Sequence, residues 1–80
     1  MNEQEILAVF TRLLRDLLMN DDIVLAMDTR RQDVPDWDSM AYISFIVAAE
    51  GELGVKFKVA EVESFETVGD IVAAARARLR

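Results

Sequence analysis

The chain has 80 residues and a formal net charge of −6, and it contains neither histidine nor cysteine. That excludes disulfides and thiolate metal sites, and it removes the side chains that most often act as base or nucleophile near neutral pH. A chain this short reads as one small domain, 1–80, with a thin core, and its acidic balance repels nucleic acid while favouring basic protein partners.

The first predicted element is a helix from about Asn2 to Met19. Ile6, Phe10, Leu13, Leu14 and Leu17 recur at spacings of three and four and line one face. Asn2 followed by Glu5 has the pattern of a capping box. Arg12, Arg15 and Asp16 mark the wet side.

A long polar connection follows, from about Asn20 to Trp37. Ile23, Val24 and Leu25 are expected to pin it to the core, with Trp37 anchoring its far end. Pro35 pushes Val34 toward extended geometry. Connections of this length within a small domain tend to be functional or anchored by their own side chains.

The second long helix is expected from Ser39 to Leu53, with Gly54 as a left-handed stop. Asp38 stands at its N-cap position. Ser39 then sits where the positive dipole end and open N–H groups favour a phosphate, although the dipeptide alone reads first as a plain N-cap. Tyr42, Phe45, Ile46, Ala49 and Leu53 form one apolar stripe. Met40, Ile43 and Val47 form a second, which either meets a partner or is covered by another helix.

Val55-Lys56-Phe57-Lys58-Val59 alternates like a strand but has no second strand to pair with. It reads as an extended connector whose valines and Phe57 plug into the core. Ala60 to Phe65 allows one or two helical turns, Val62 and Phe65 inward and Glu61 and Glu63 outward. Thr67 and Asp70 open the last helix as a capping-box pair, and Val68, Ile71, Val72, Ala75 and Leu79 keep helical period. Arg76, Arg78 and Arg80 close the chain at the negative dipole end. The fold class is therefore all-α: a small four-helix bundle, three main helices plus one short one, with a long first loop. No metal-ligand spacing, apolar run of membrane-spanning length or secretory leader is visible, so the expectation is a cytoplasmic monomer without stable membrane insertion.

Three separated segments resemble the acyl carrier protein family, and together they span nearly the whole chain. Asp36-Trp37-Asp38-Ser39-Met40 is similar to the Trp-Asp-Ser-Leu form of carriers in polyketide, peptide and other specialised pathways. Glu50-Gly51-Glu52-Leu53-Gly54-Val55 resembles the acidic end of that family's second helix. Phe65-Glu66-Thr67-Val68-Gly69-Asp70-Ile71 resembles the opening of its last helix. The resemblance implies a non-catalytic carrier in which Ser39 holds a 4′-phosphopantetheine, donated by coenzyme A through a separate phosphopantetheinyl transferase. It implies acyl thioesters on that arm, presented to acyl-activating, acyl-transferring or condensing enzymes of lipid, polyketide or related specialised biosynthesis. Met40, Ile43 and Val47 are then the apolar docking positions, with Asp36, Asp38 and Glu50 as a charged rim facing basic partners.

The chain departs from carriers of central fatty-acid synthesis, which usually hold more acids along the second helix. Here Ala41, Ser44 and Gly51 occupy such positions, and Lys56 and Lys58 add cations just beyond. This points to a dedicated pathway. Two alternatives stand beside the acyl reading: an aminoacyl, D-alanyl or peptidyl carrier, and an unmodified helical adaptor in which Ser39 is only a cap.

Overall fold

The computed structural model describes residues 1–79, and all of its regular structure is helical. Helix α1 spans Glu3–Leu18, α2 Ser39–Leu53, α3 Val59–Ser64 and α4 Val68–Arg78. The all-α class, the order and the long first loop agree with the sequence reading.

Local chemistry explains where the helices begin and end. The Asn2 side chain accepts from the Glu5 N–H at 2.8 Å while the Glu5 carboxylate accepts from the Asn2 N–H, closing the expected capping box of α1. Met19 ends the helix in left-handed geometry. Asp38 caps α2, accepting from the Ala41 N–H at 2.9 Å, and Gly54 ends it at φ 68°. Thr67 and Asp70 cap α4 reciprocally.

Helix α1 packs against both α2 and α4, so the core forms where three helices converge. Ile6, Phe10 and Leu14 of α1 meet Phe45, Ile46 and Ala49 of α2 and Val68, Ile71, Val72 and Ala75 of α4. Phe10 and Phe45 pack edge to face with centroids 5.2 Å apart, and Trp37 meets Phe45 in the same way at 5.4 Å. Each such pair contributes about 0.5–1.5 kcal/mol beyond the area it buries. At the periphery, exposed ion pairs tie Arg12 of α1 to Glu52 of α2 and Arg76 of α4 to Glu3 of α1.

Several expectations need correction. Leu17 is exposed, because it lies at the edge of the α1 stripe. In the loop, Ile23 and Leu25 are buried but Val24 is not, since extended backbone sends alternate side chains to opposite sides. Val59 is also exposed; it starts α3 one residue before the expected span, as its first helical residue. Arg15 is half-buried, its Nε donating to the Ile23 carbonyl at 2.6 Å, so it holds the loop to α1 instead of standing free. Glu61 is half-buried too: it caps α3 at the Lys58 N–H and pairs with Arg78. Arg80, grouped with the closing arginines in the sequence, lies outside the described residues.

The long loop is held by backbone hydrogen bonds to the start of α4. The Val68 N–H donates to the Thr29 carbonyl and the Gly69 N–H to the Met27 carbonyl, both at 2.8 Å. Two of the N–H groups that a helix start leaves open are thus satisfied by the loop itself. A short 3₁₀ turn, Arg31–Asp33, then leads toward α2 and was not expected from the sequence. It forms because the Asp33 carboxylate accepts from the Arg30 N–H at 2.9 Å.

Candidate functional site

The site is built by the turn that delivers the chain into α2. Val34 is extended before Pro35, as expected. The Trp37 N–H closes the turn on the Val34 carbonyl at 3.3 Å, and Asp36 takes a left-handed φ of 70°. Proline second and a left-handed residue third is the pattern of a type II turn. Trp37 is thereby driven into the core, 4% exposed, and packs on Phe45 and Tyr42. With the indole fixed, Asp38 is aimed back at its cap acceptor position and Ser39 emerges as the first residue of α2, exposed.

The N-terminus of α2 differs from that of α4. Loop carbonyls cover the first amides of α4, whereas among the described residues the Ser39 and Met40 N–H groups meet no acceptor. Open N–H groups at a helix start favour an anion. Ser39 Oγ itself accepts from Arg31 Nη1 at 3.3 Å.

Ser39 also borders a groove of about 540 Å³ between the loop, α2 and α3, with Arg30, Arg31, Tyr42, Ile43, Val62 and Phe65 among its lining residues. Tyr42 fixes one wall, its hydroxyl donating to the Val62 carbonyl at 2.7 Å. Burial pushes the Tyr42 phenol above its ordinary pKa, with the nearby Arg31 charge opposing. Arg30, Arg31, Glu63 and Glu66 supply the charged part of its lining, and Tyr42, Ile43, Val62 and Phe65 the apolar part.

Beside Ser39, Met40 is 82% exposed, Ile43 53% and Val47 61%. Among the described residues, no other helix covers this stripe. It continues the Ser39 end of α2 along the surface, with Asp36 and Asp38 exposed at its start. Glu50 is placed differently: it is half-buried, and its carboxylate accepts from the Phe57 N–H at 2.8 Å. It braces the connector after α2. Arg31 is the residue that sequence reasoning missed; it stands in a polar run, and no local pattern marks it as a neighbour of Ser39.

Residues 36–75 match the family described as phosphopantetheine attachment site. An acyl carrier protein, MbtL, of Mycobacterium sp. (strain MCS) is 33% identical over 78 residues, 98% of this chain and 88% of that protein. The chain belongs to the phosphopantetheine-binding acyl carrier proteins. A holo acyl carrier protein of Geobacter metallireducens, solved by solution NMR, superposes with a TM-score of 0.83 at 29% identity, over 90% of this chain and 83% of that one. Carriers of this family are not enzymes; they hold 4′-phosphopantetheine covalently and work with phosphopantetheinyl transferases and biosynthetic enzymes. The residues present fit such a group: an exposed serine hydroxyl, two uncovered helix amides and a guanidinium beside them, at the mouth of a groove. Among the described residues, no helix is long and apolar enough to cross a membrane.

Proposed function

We propose that Ser39 is the attachment point of the 4′-phosphopantetheine and that the chain carries acyl intermediates of a dedicated lipid, polyketide or related specialised pathway. The observation that carries this reading is the exposed Ser39 hydroxyl at the uncovered start of α2, inside the matched attachment-site region. When bound, the group supplies the thiol that this cysteine-free chain lacks, and so the means to hold an acyl cargo as a thioester.

The chain's own residues do the presenting. Asp38 fixes the helix start from which Ser39 projects, and Trp37 holds that start against the core. Met40, Ile43 and Val47 form the apolar strip on which a partner enzyme docks, and Asp36 and Asp38 offer charge to a basic rim. Tethering replaces diffusion with a high effective concentration, which is what a carrier contributes to a pathway. MbtL is named an acyl carrier, which favours acyl over aminoacyl cargo here. We read the chain as one domain acting as a monomer in the cytoplasm.

The test is incubation with coenzyme A and a permissive transferase, followed by tryptic mapping. One phosphopantetheine on the peptide of residues 32–56, located at Ser39, is the expected result. Attachment elsewhere would overturn the assignment. Loading by acyl-transferring or acyl-activating enzymes, set against amino-acid-adenylating ones, separates acyl from aminoacyl cargo.

A further inference from the structure

Two contacts hold the Arg31 guanidinium in place. Its Nη1 reaches Ser39 Oγ at 3.3 Å, and its Cζ lies over the Tyr42 ring, 5.5 Å from the centroid. That ring is in turn held by the Tyr42 hydroxyl on the Val62 carbonyl. Stacking and pinning orient a side chain that would otherwise sample many rotamers, so less entropy is lost when it binds. Among the described residues, no carboxylate lies within ion-pair distance of Arg31, although Arg12, Arg30, Arg76 and Arg78 all have acidic partners. The Ser39 hydroxyl is a neutral acceptor and uses one donor of a five-donor fork.

We infer that Arg31 binds the phosphodiester of the arm attached to Ser39, and so fixes the direction in which the arm leaves the protein. This inference rests on the Ser39 assignment. The phosphorus of a serine phosphodiester sits one bond beyond Oγ, so its two non-bridging oxygens fall within the reach of a guanidinium already in contact with Oγ. Guanidinium and phosphate match as a fork, with two charge-assisted hydrogen bonds in place of one neutral one. The contact holds the first segment of the arm toward the groove bordered by Ile43, Val62 and Phe65. Arg31 is a positioning residue and takes no part in bond making.

The experiment compares holo wild type, Arg31→Gln, Arg31→Lys and Lys56→Gln by phosphorus NMR, with intact mass recorded for each. Arg31 is exposed, so its variants fold. Lys56 lies beyond the opposite end of α2 and controls for net charge. The expected result is a phosphorus resonance that shifts and narrows in Arg31→Gln, moves partway in Arg31→Lys and stays in place in Lys56→Gln. The Arg31 Nε–H signal should also move when apo wild type becomes holo. Identical phosphorus resonances in wild type and Arg31→Gln, with full arm mass on both, would overturn the role of Arg31 and leave the carrier reading intact. No added mass on wild type would instead remove the Ser39 assignment, and this inference with it.

Discussion

The Gly69 N–H donates to the Met27 carbonyl at 2.8 Å, which locks the long first loop onto the start of α4. A Cβ at position 69 would stand 2.6 Å from that carbonyl oxygen, against backbone that cannot swing aside. Gly69→Ala is therefore expected to destabilise the fold by about 1–3 kcal/mol, the usual cost of forced overpacking. Gly51, on the exposed side of α2, has open space around it, and Gly51→Ala is expected to stabilise by up to ~1 kcal/mol. Urea unfolding of the two variants reads both signs. A neutral Gly69→Ala would mean that the loop yields easily.

Removing the cap of α2 reads stability, and trimming the apolar strip reads docking. Asp38→Ala takes away the acceptor for the Ala41 N–H and should cost about 1 kcal/mol. Met40→Ser, Ile43→Ser and Val47→Ser trim side chains that are more than half exposed, and each should cost no more than about 1 kcal/mol. Their effect is expected in the transferase reaction, as a raised KM for the carrier. Unchanged kinetics in the triple variant would remove this strip from the docking surface.

Two carboxylates contribute to the loss of stability in acid. The Asp70 carboxyl is held below its ordinary range first by the Glu66 and Thr67 N–H groups, and Glu61 first by the Lys58 N–H, then by Arg78. A depressed folded pKa means that their contribution is complete above the unfolded values, near about 4, and is lost as pH falls through the folded ones. Midpoints of urea unfolding should therefore decline below about pH 4, and Asp70→Asn should flatten that decline. Tyr42 acts in the opposite direction: its raised pKa favours the neutral phenol in the folded state, so its share of stability is lost as pH rises past about 10.

Asp36 is in left-handed backbone, which an aspartate tolerates and a β-branched residue does not. Asp36→Val is expected to cost about 1–2 kcal/mol, whereas Asp36→Gly should be close to neutral. Thermal melts of the pair measure the difference. Equal melting of both would show that the turn does not depend on residue 36.

The legible parts of the fold were those written locally. Asn2 with Glu5, Asp38, Gly54 and Thr67 with Asp70 signal helix ends within a few residues of themselves, and the structure bears out each cap. Pro35 likewise marked the extended Val34, and Trp37 the anchor. What the sequence hid depends on the path of the loop. The bonds from Val68 and Gly69 to Thr29 and Met27 join backbone groups whose side chains carry no signal. Arg31 meets Ser39 only because the 3₁₀ turn folds it back. Glu50 resembles any exposed acid until the connector after α2 brings the Phe57 N–H to it. The exposed Met40, Ile43 and Val47 stripe was visible as a pattern, but only the packing of α1 and α4 on the other side of α2 decided that it stays uncovered.

The central claim is that one hydroxyl carries the arm. Intact-mass measurement of wild type and Ser39→Ala, each incubated with coenzyme A and a permissive transferase, tests it most directly. Wild type is expected to gain one phosphopantetheine and Ser39→Ala none, with both proteins equally folded. A gain on Ser39→Ala, or no gain on wild type with several transferases, would contradict it.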